Sequence, residues 1–368
     1  MTTLHRKSLL LMLLVSCFIS GAQAQSNSMQ FVSAANAKVA KASALKSKWD
    51  GPTSGPQLQK DKKIVFIAAD MADAGIYGIF NGMKEAVAGT GWQILLIDCR
   101  GRCNQGASVV SQALDMKPHG IVLAGVDAAS QAKGLTAAEK AHVPVVGWHA
   151  SFKAGAVPGL FTNITTDPRE AAQIAALFGA AETNNKAGIV VLSDTSTPYM
   201  ATKSGAIVET LKQCEACRIL SIEEMPIADS RKKFPAVVES LVKRLGNKWT
   251  HVIAVNDIYF DLMDRPDIEK MLESIKLRGI SAGDGSPGAY KRIRKSETQI
   301  GSVPEPLFLH GWQVVDELNR AFAKVAPSGY NAPLHLVTLQ NIAYDGGAKD
   351  VFDPSNDFRA KYLAYWGK

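Results

Sequence analysis

The chain has 368 residues, a formal net charge of +7 and a pI near 9.0, with 46% apolar and 20% charged residues. That balance can bury a core and excludes a disordered acidic or basic tail. The length suggests two domains, and the basic pI raises a nucleic-acid partner, which depends on where the charge sits.

The first segment removes part of the charge. His5, Arg6 and Lys7 precede an apolar run over 9–19, and Ala22-Gln23-Ala24 follows. This is the charged start, apolar middle and small-residue cleavage site of a secretory signal peptide, residues 1–24. The run is too short to span a bilayer, which takes about 20 residues. Cleavage is expected after Ala24. Lipidation at Cys17 is the minor alternative, because Phe18 and Ile19 would make an awkward start for a mature lipoprotein. Residues 25–60 hold Lys38, Lys41, Lys46, Lys48 and Lys60 against Asp50 alone. They read as an N-terminal tether with a short helix near 34–48, broken by Gly51-Pro52-Thr53-Ser54-Gly55-Pro56. From Asp61 onward the net charge is only +1. The body therefore lacks the basic patch of a nucleic-acid-binding domain. It also lacks a Gly-Lys-Ser/Thr phosphate loop and a G-x-S-x-G elbow.

From residue 62 the pattern becomes regular. Apolar runs at 63–70, 92–98, 120–126 and 143–148 predict strands, and helical spacing at 75–89, 107–116 and 130–141 predicts the helices between them. The rhythm then restarts. Helices are predicted at 168–181, 200–212, 234–245, 268–277 and 307–325. Strands are predicted at 187–192, 218–222, 251–255, 280–283, 299–303 and 334–339. Continuous apolar runs mean strands covered on both faces, the signature of parallel sheets. The fold class is α/β, with two similar doubly wound parallel-sheet lobes. Ligands of such sheets sit beyond the carboxyl ends of the strands, so two facing lobes form a clamp that closes by a hinge.

Five strand ends carry a recognisable set: Ala68-Ala69-Asp70-Met71-Ala72-Asp73-Ala74-Gly75, Val143-Pro144-Val145-Val146-Gly147-Trp148-His149, Ala254-Val255-Asn256-Asp257, Ala282-Gly283-Asp284-Gly285 and Ile300-Gly301-Ser302-Val303-Pro304. With the leader, they make the chain resemble the type I periplasmic sugar-binding proteins of ABC transporters, the ribose-binding-protein-like family, over about 62–345. The resemblance implies three crossings between lobes, near 162–166, 301–304 and 328–333. Lobe 1 would be 61–162 plus 304–328, and lobe 2 would be 165–300 plus 333–368.

The same resemblance implies a ligand-binding set. Carboxylates and carboxamides bind adjacent hydroxyls through paired hydrogen bonds, and aromatic faces cover the C–H faces of a sugar ring. Asn256 is expected to contact ligand directly, and Asp257 to contact ligand or cap the following helix. Asp284 is the expected hydroxyl-binding acid. Asp73 is the first-loop contact, with Asp70 as its alternative. Ser302 takes the place of a hydroxyl-binding amide, with Glu305 as a nearby second candidate, and Asp194 and Tyr199 are further contacts from lobe 2. Two departures stand out. The family's fourth strand ends in Asp-Arg, whereas this one ends Trp148-His149-Ala150, leaving Lys203 as the substitute cation; the first loop has Gly75-Ile76 in place of an aromatic pair. A polyol, a modified sugar or another small polar compound therefore stays open beside an aldose.

Cys17 leaves with the leader, and Cys99, Cys103, Cys214 and Cys217 form an even set in an exported chain, which points to disulfides. Four cysteines allow three pairings. The local pairs are expected, because in the implied fold each lies within one loop. The cysteine spacing fits no zinc module, and His5, His119, His142, His251, His310 and His335 show no ligand spacing, so neither metal nor cofactor is expected. The functional expectation is a monomeric periplasmic solute-binding protein that delivers a small polar sugar-like ligand to an ABC permease in the inner membrane. The alternatives are a ligand-binding receptor for chemotaxis or a sensor kinase, and an exported α/β enzyme, which would need a nucleophile–base motif the sequence does not display.

Overall fold

The computed structural model describes residues 31–368 except 46, 104–106, 183–186, 216 and 346–348. The signal-peptide and Cys17 expectations lie outside the described residues.

The first lobe is built on β1 (Lys63–Ala68), β2 (Gln93–Asp98), β3 (Gly120–Ala124), β4 (Val145–Trp148) and β5 (Thr162–Ile164), all parallel in the order β2-β1-β3-β4-β5. Alternate residues of β1 serve opposite faces. Ile64, Phe66 and Ala68 pack with α2 (Ala74–Ala86) and α11 (Leu307–Phe322). Val65 and Ile67 pack with α3 (Val109–Asp115) and α4 (Ala132–Lys140). A strand with no solvent face needs an unbroken apolar run, as the sequence has.

The second lobe has the order β11-β10-β9-β8-β6-β7: β6 (Gly188–Ser193), β7 (Arg218–Glu224), β8 (His251–Ala254), β9 (Arg278–Ser281), β10 (Gln299–Ser302) and β11 (Val337–Thr338). Only β11 runs antiparallel, at the edge. Its helices are α5 (Pro168–Ala181), α6 (Pro198–Leu211), α7 (Ile227–Leu245), α8 (Ile258–Met263), α9 (Pro266–Leu272) and α10 (Pro287–Lys295). Asp167, Thr197 and Ser286 cap α5, α6 and α10 through their side chains, each followed by proline at the first helical position.

Two terminal segments depart from the expected boundaries. The segment read as a tether is packed onto both lobes. Helix α1 (31–43) lies on the second lobe: Ala42 is buried in its core, its carbonyl accepts from Leu336 N at 2.9 Å, and Lys38 Nζ donates to Gln173 Oε1 at 2.7 Å. The chain then joins the first lobe. Trp49 meets Tyr330 and Tyr362 at ring distances of 5.3 and 5.4 Å, and Arg320 Nη2 donates to Ser54 O at 2.6 Å. The C-terminal stretch assigned to lobe 2 divides likewise. After α12 (Ile342–Asp345), α13 (Phe358–Trp366) buries Phe358, Tyr362 and Trp366 in the first lobe, where Trp366 stacks on Trp312 at 5.5 Å. Both segments bury side chains against a lobe that lies far from them in sequence, which the local βα rhythm does not reveal. Replacing Trp49 with alanine should lower stability by roughly 1–2 kcal/mol, less than for a fully buried tryptophan. Urea unfolding checks this; an unchanged midpoint would mean that the extension adds nothing to the fold.

Candidate ligand-binding site

The carboxyl ends of the two sheets face one another across a cavity of about 210 Å³, room for several water volumes of about 30 Å³ each. The first lobe contributes Asp70 and Asp73 after β1, Gly101 and Cys103 after β2, Asp127 after β3, and Trp148 and His149 at the end of β4. The second contributes Asp194 and Thr197 after β6, Tyr199 from the first turn of α6, Ala228 after β7, Asn256 after β8 and Asp284 after β9.

His149 lies at the floor. Its φ is +50°, a left-handed conformation that non-glycine residues adopt only when their surroundings hold them there. Three contacts do so here. The imidazole is stacked between Trp148 at 3.7 Å and Tyr199 at 4.1 Å, so a first-lobe ring touches a second-lobe ring. Its Nε2 faces Glu305 Oε1 at 3.5 Å. Trp148 Nε1 donates to His310 Nδ1 at 3.1 Å, which fixes the indole behind the stack.

Glu305 lies on the crossing between β10 and α11 and is buried below the cavity, outside its lining. Its Oε1 accepts from Thr166 Oγ1 at 2.5 Å, on the first crossing, and from Tyr199 OH at 3.5 Å. Burial raises the carboxyl, but the hydrogen bond and charge of His149, then His310 and Lys203, bring it down to about 2. Burial lowers His310 to about 4, against the pull of Glu305. The Tyr199 phenol is pushed well above its ordinary value by burial and by Glu305 and Asp284, so it remains a donor.

Asp284 presents a carboxylate to the cavity. Its Oδ2 accepts from Asn256 Nδ2 at 3.3 Å, and Oδ1 lies 3.6 Å from Lys203 Nζ. Lys203 itself is buried, donates to Ala282 O at 2.6 Å and does not line the cavity. Asp284 presses on the start of α2: a Cβ on Gly75 would come within 2.5 Å of its Oδ2. Glycine at 75 is what lets the lobes meet there, and this accounts for the missing aromatic.

Asp73 caps the same helix, its Oδ1 accepting from Gly75 N at 2.8 Å and Ile76 N at 3.1 Å. Burial and then the charge of Asp284 raise it from 3.8 to about 7, against the two amides and Lys203. The folded protein keeps this proton up to about pH 7, whereas the unfolded chain releases it near 3.8. Stability of the ligand-free protein therefore falls as pH rises between those values. Asparagine at 73 keeps a capping oxygen and removes the charge. Asp73→Asn should be more stable than the parent at pH 8 by roughly 1 kcal/mol, a melting shift of about 2–4 °C, and should match it near pH 4. Melts across that range check this, and parallel pH profiles would contradict it.

Three of the expected contacts are turned away from the cavity. Asp257 is a buried hub: Oδ1 accepts from Gln299 Nε2 at 2.6 Å, Ser302 Oγ at 3.1 Å and Ser281 Oγ, and Oδ2 from Gly285 N at 2.7 Å and Ser286 N at 3.1 Å. It neither touches the main cavity nor caps α8 through its side chain. Ser302 is fully buried on Asp257 and Ser281. Glu305 is the third. Asp194 does line the cavity, but Oδ1 accepts from Ser196 N at 2.7 Å and Oδ2 from Ile227 N at 2.9 Å, so it mainly shapes two loops. Asp127 and Thr197 were missed; their signal was a polar residue just past a buried strand.

The disulfides pair locally, Cys99–Cys103 and Cys214–Cys217, as expected. The first closes the loop that carries Cys103 and Gly101 to the cavity rim, where a Cβ on Gly101 would lie 2.9 Å from Ala228 Cβ of the other lobe. Among the described residues no His/Cys/Asp/Glu group is arranged to hold a metal ion.

Residues 64–321 match the family model described as periplasmic binding protein domain. The chain belongs to that family, one of extracytoplasmic binding proteins and not of enzymes. No curated protein matches by sequence. Among solved structures, a sugar ABC transporter protein from Yersinia enterocolitica subsp. enterocolitica 8081 is similar, with a TM-score of 0.71 at 18% identity, covering 86% of this chain and 98% of that one. An ABC transporter solute-binding protein from Agrobacterium vitis with bound allitol gives 0.61 at 19%, covering 76% and 96%. Another from Bacillus halodurans C-125 with bound myo-inositol gives 0.63 at 15%, covering 77% and 96%. These likenesses establish the type I periplasmic binding fold.

Proposed function

We propose that this protein is the solute-binding component of an ABC importer, monomeric and exported by cleavage after Ala24, which captures one small sugar-like molecule between its lobes and presents it to an inner-membrane permease. The observation that carries this is the facing of Asp73, Trp148 and His149 on one lobe against Tyr199, Asn256 and Asp284 on the other, around a single cavity. The set combines carboxylates and a carboxamide for hydroxyls with an aromatic floor for C–H faces. Neighbours of this fold with bound polyols support the reading. Because each lobe supplies part of the set, binding and closure are one event.

Thermal-shift screening against aldoses, ketoses, alditols and inositols tests this, with amino acids, nucleosides and dicarboxylates as comparison classes. A matching ligand at 100 times its Kd adds about 2.7 kcal/mol, a rise of several degrees. Stabilisation by the comparison classes alone would refute the proposal.

A further inference from the structure

The charge of the ligand can be taken further, on the reading that the cleft accepts a sugar-like molecule. Five aspartates line the cavity (Asp70, Asp73, Asp127, Asp194 and Asp284), and no lysine or arginine does so among the described residues. The carboxylates are not equivalent. Asp194 has both oxygens engaged by loop amides. Asp73 caps α2 with Oδ1 alone. Asp284 is more than nine-tenths buried, and its Oδ1 has no hydrogen-bond partner in the protein. Lys203 pairs with that oxygen by charge at 3.6 Å, while its hydrogen bond goes to Ala282 O.

The donors of the lining are largely committed elsewhere. The Trp148 indole N–H goes to His310, the Asn256 amide to Asp284 and the Tyr199 hydroxyl to Glu305. The cavity thus has acceptors in surplus and a lining of acids without a lysine or arginine, and a cation bound beside Asp73 favours release of the proton that Asp73 holds in the ligand-free protein. A neutral polyol brings a donor and an acceptor with every hydroxyl. An ammonium brings three donors, no acceptor and a positive charge. Asp284 Oδ1 is ion-paired with Lys203 but accepts no hydrogen bond, so a donor from the ligand adds one at a buried carboxylate.

We propose that the preferred ligand is a protonated amine on a polyhydroxylated skeleton, an amino sugar or amino polyol, with its ammonium group between Asp73 and Asp284. Gly75 brings these two acids to the same place from opposite lobes, so the cation bridges the lobes and favours closure. The same acids reject anionic sugars such as uronates and sugar phosphates.

The test is calorimetric titration of the full mature chain at about pH 7, where an alkyl amine is charged. The probes are the parent, amino-deoxy and N-acetylated forms of glucose, galactose, mannose and sorbitol. The N-acetyl forms keep the nitrogen and remove its charge. On at least one skeleton the amine should bind at least about tenfold tighter than both other forms, or about 1.4 kcal/mol. That advantage should shrink below about threefold in Asp284→Asn and in Asp73→Asn; the second variant serves if the first folds poorly. Parent forms binding as well as their amines on every skeleton that binds would overturn this proposal and leave the sugar-like reading standing. Failure of all forms, with binding by one of the comparison classes, would overturn both.

Discussion

Asp284→Ala should abolish ligand binding, lowering affinity more than about 100-fold, and should also destabilise the protein. The two losses have separate origins. The carboxylate faces the cavity beside Asn256, so its removal takes away a desolvated contact of the kind that costs about 2–5 kcal/mol. It also leaves Lys203 as a buried cation without its carboxylate, a change that costs about 3–5 kcal/mol. A second substitution separates them. Lys203→Met in the Asp284→Ala background removes the orphaned charge, so melting should recover toward the parent while binding stays lost. Melting curves and calorimetry with the strongest ligand from the screen check both halves. Affinity within about threefold of the parent would show that Asp284 does not contact the ligand.

Asp257→Ala should have the largest effect on folding alone. Five donors converge on this one carboxylate, from Ser281, Gln299, Ser302, Gly285 and Ser286. Removing it strands them in the core behind β8, β9 and β10, for a loss of about 3–5 kcal/mol. The urea midpoint should fall accordingly. Affinity of the molecules that remain folded should fall much less than in Asp284→Ala, because Asp257 acts through the turn that carries Asp284. The opposite pattern, an unchanged midpoint with binding abolished, would make Asp257 a ligand contact. The contrast is informative because Asn256 and Asp257 are adjacent and look interchangeable in sequence.

That adjacency marks where the sequence was legible and where it was not. The buried strands announced themselves through unbroken apolar runs, and the polar residue after each run located the cleft. Asp73, His149, Asn256 and Asp284 all follow from that rule. What the rule cannot tell is which way a strand-end side chain turns. Asp257 points into the sheet because Ser281, Gln299 and Ser302, from β9 and β10, gather there, a contact between residues up to 45 positions apart. Glu305 read as a ligand contact, yet it is a buried joint between two crossings, bonded to Thr166 at 139 positions' distance. Short elements escaped for a different reason. The span of α8 is six residues and that of β5 three, too few for a period to show. The Ser286-Pro287 start of α10 carries a capping signal, serine followed by proline at the first helical position. Helix α1 packs on the second lobe through Ala42, whereas Trp49, beyond that helix, and Trp366 of α13 join the first lobe's aromatic cluster, contacts too distant in sequence for a local pattern to show.

The proposed function requires two lobes that close over one small polar ligand. Small-angle X-ray scattering of the mature protein, ligand-free and then saturated with the strongest ligand from the screen, tests this most directly. The radius of gyration should fall on saturation, with the change absent in Asp284→Ala at the same ligand concentration. Calorimetrically confirmed saturation of the parent protein with superimposable scattering curves would contradict it.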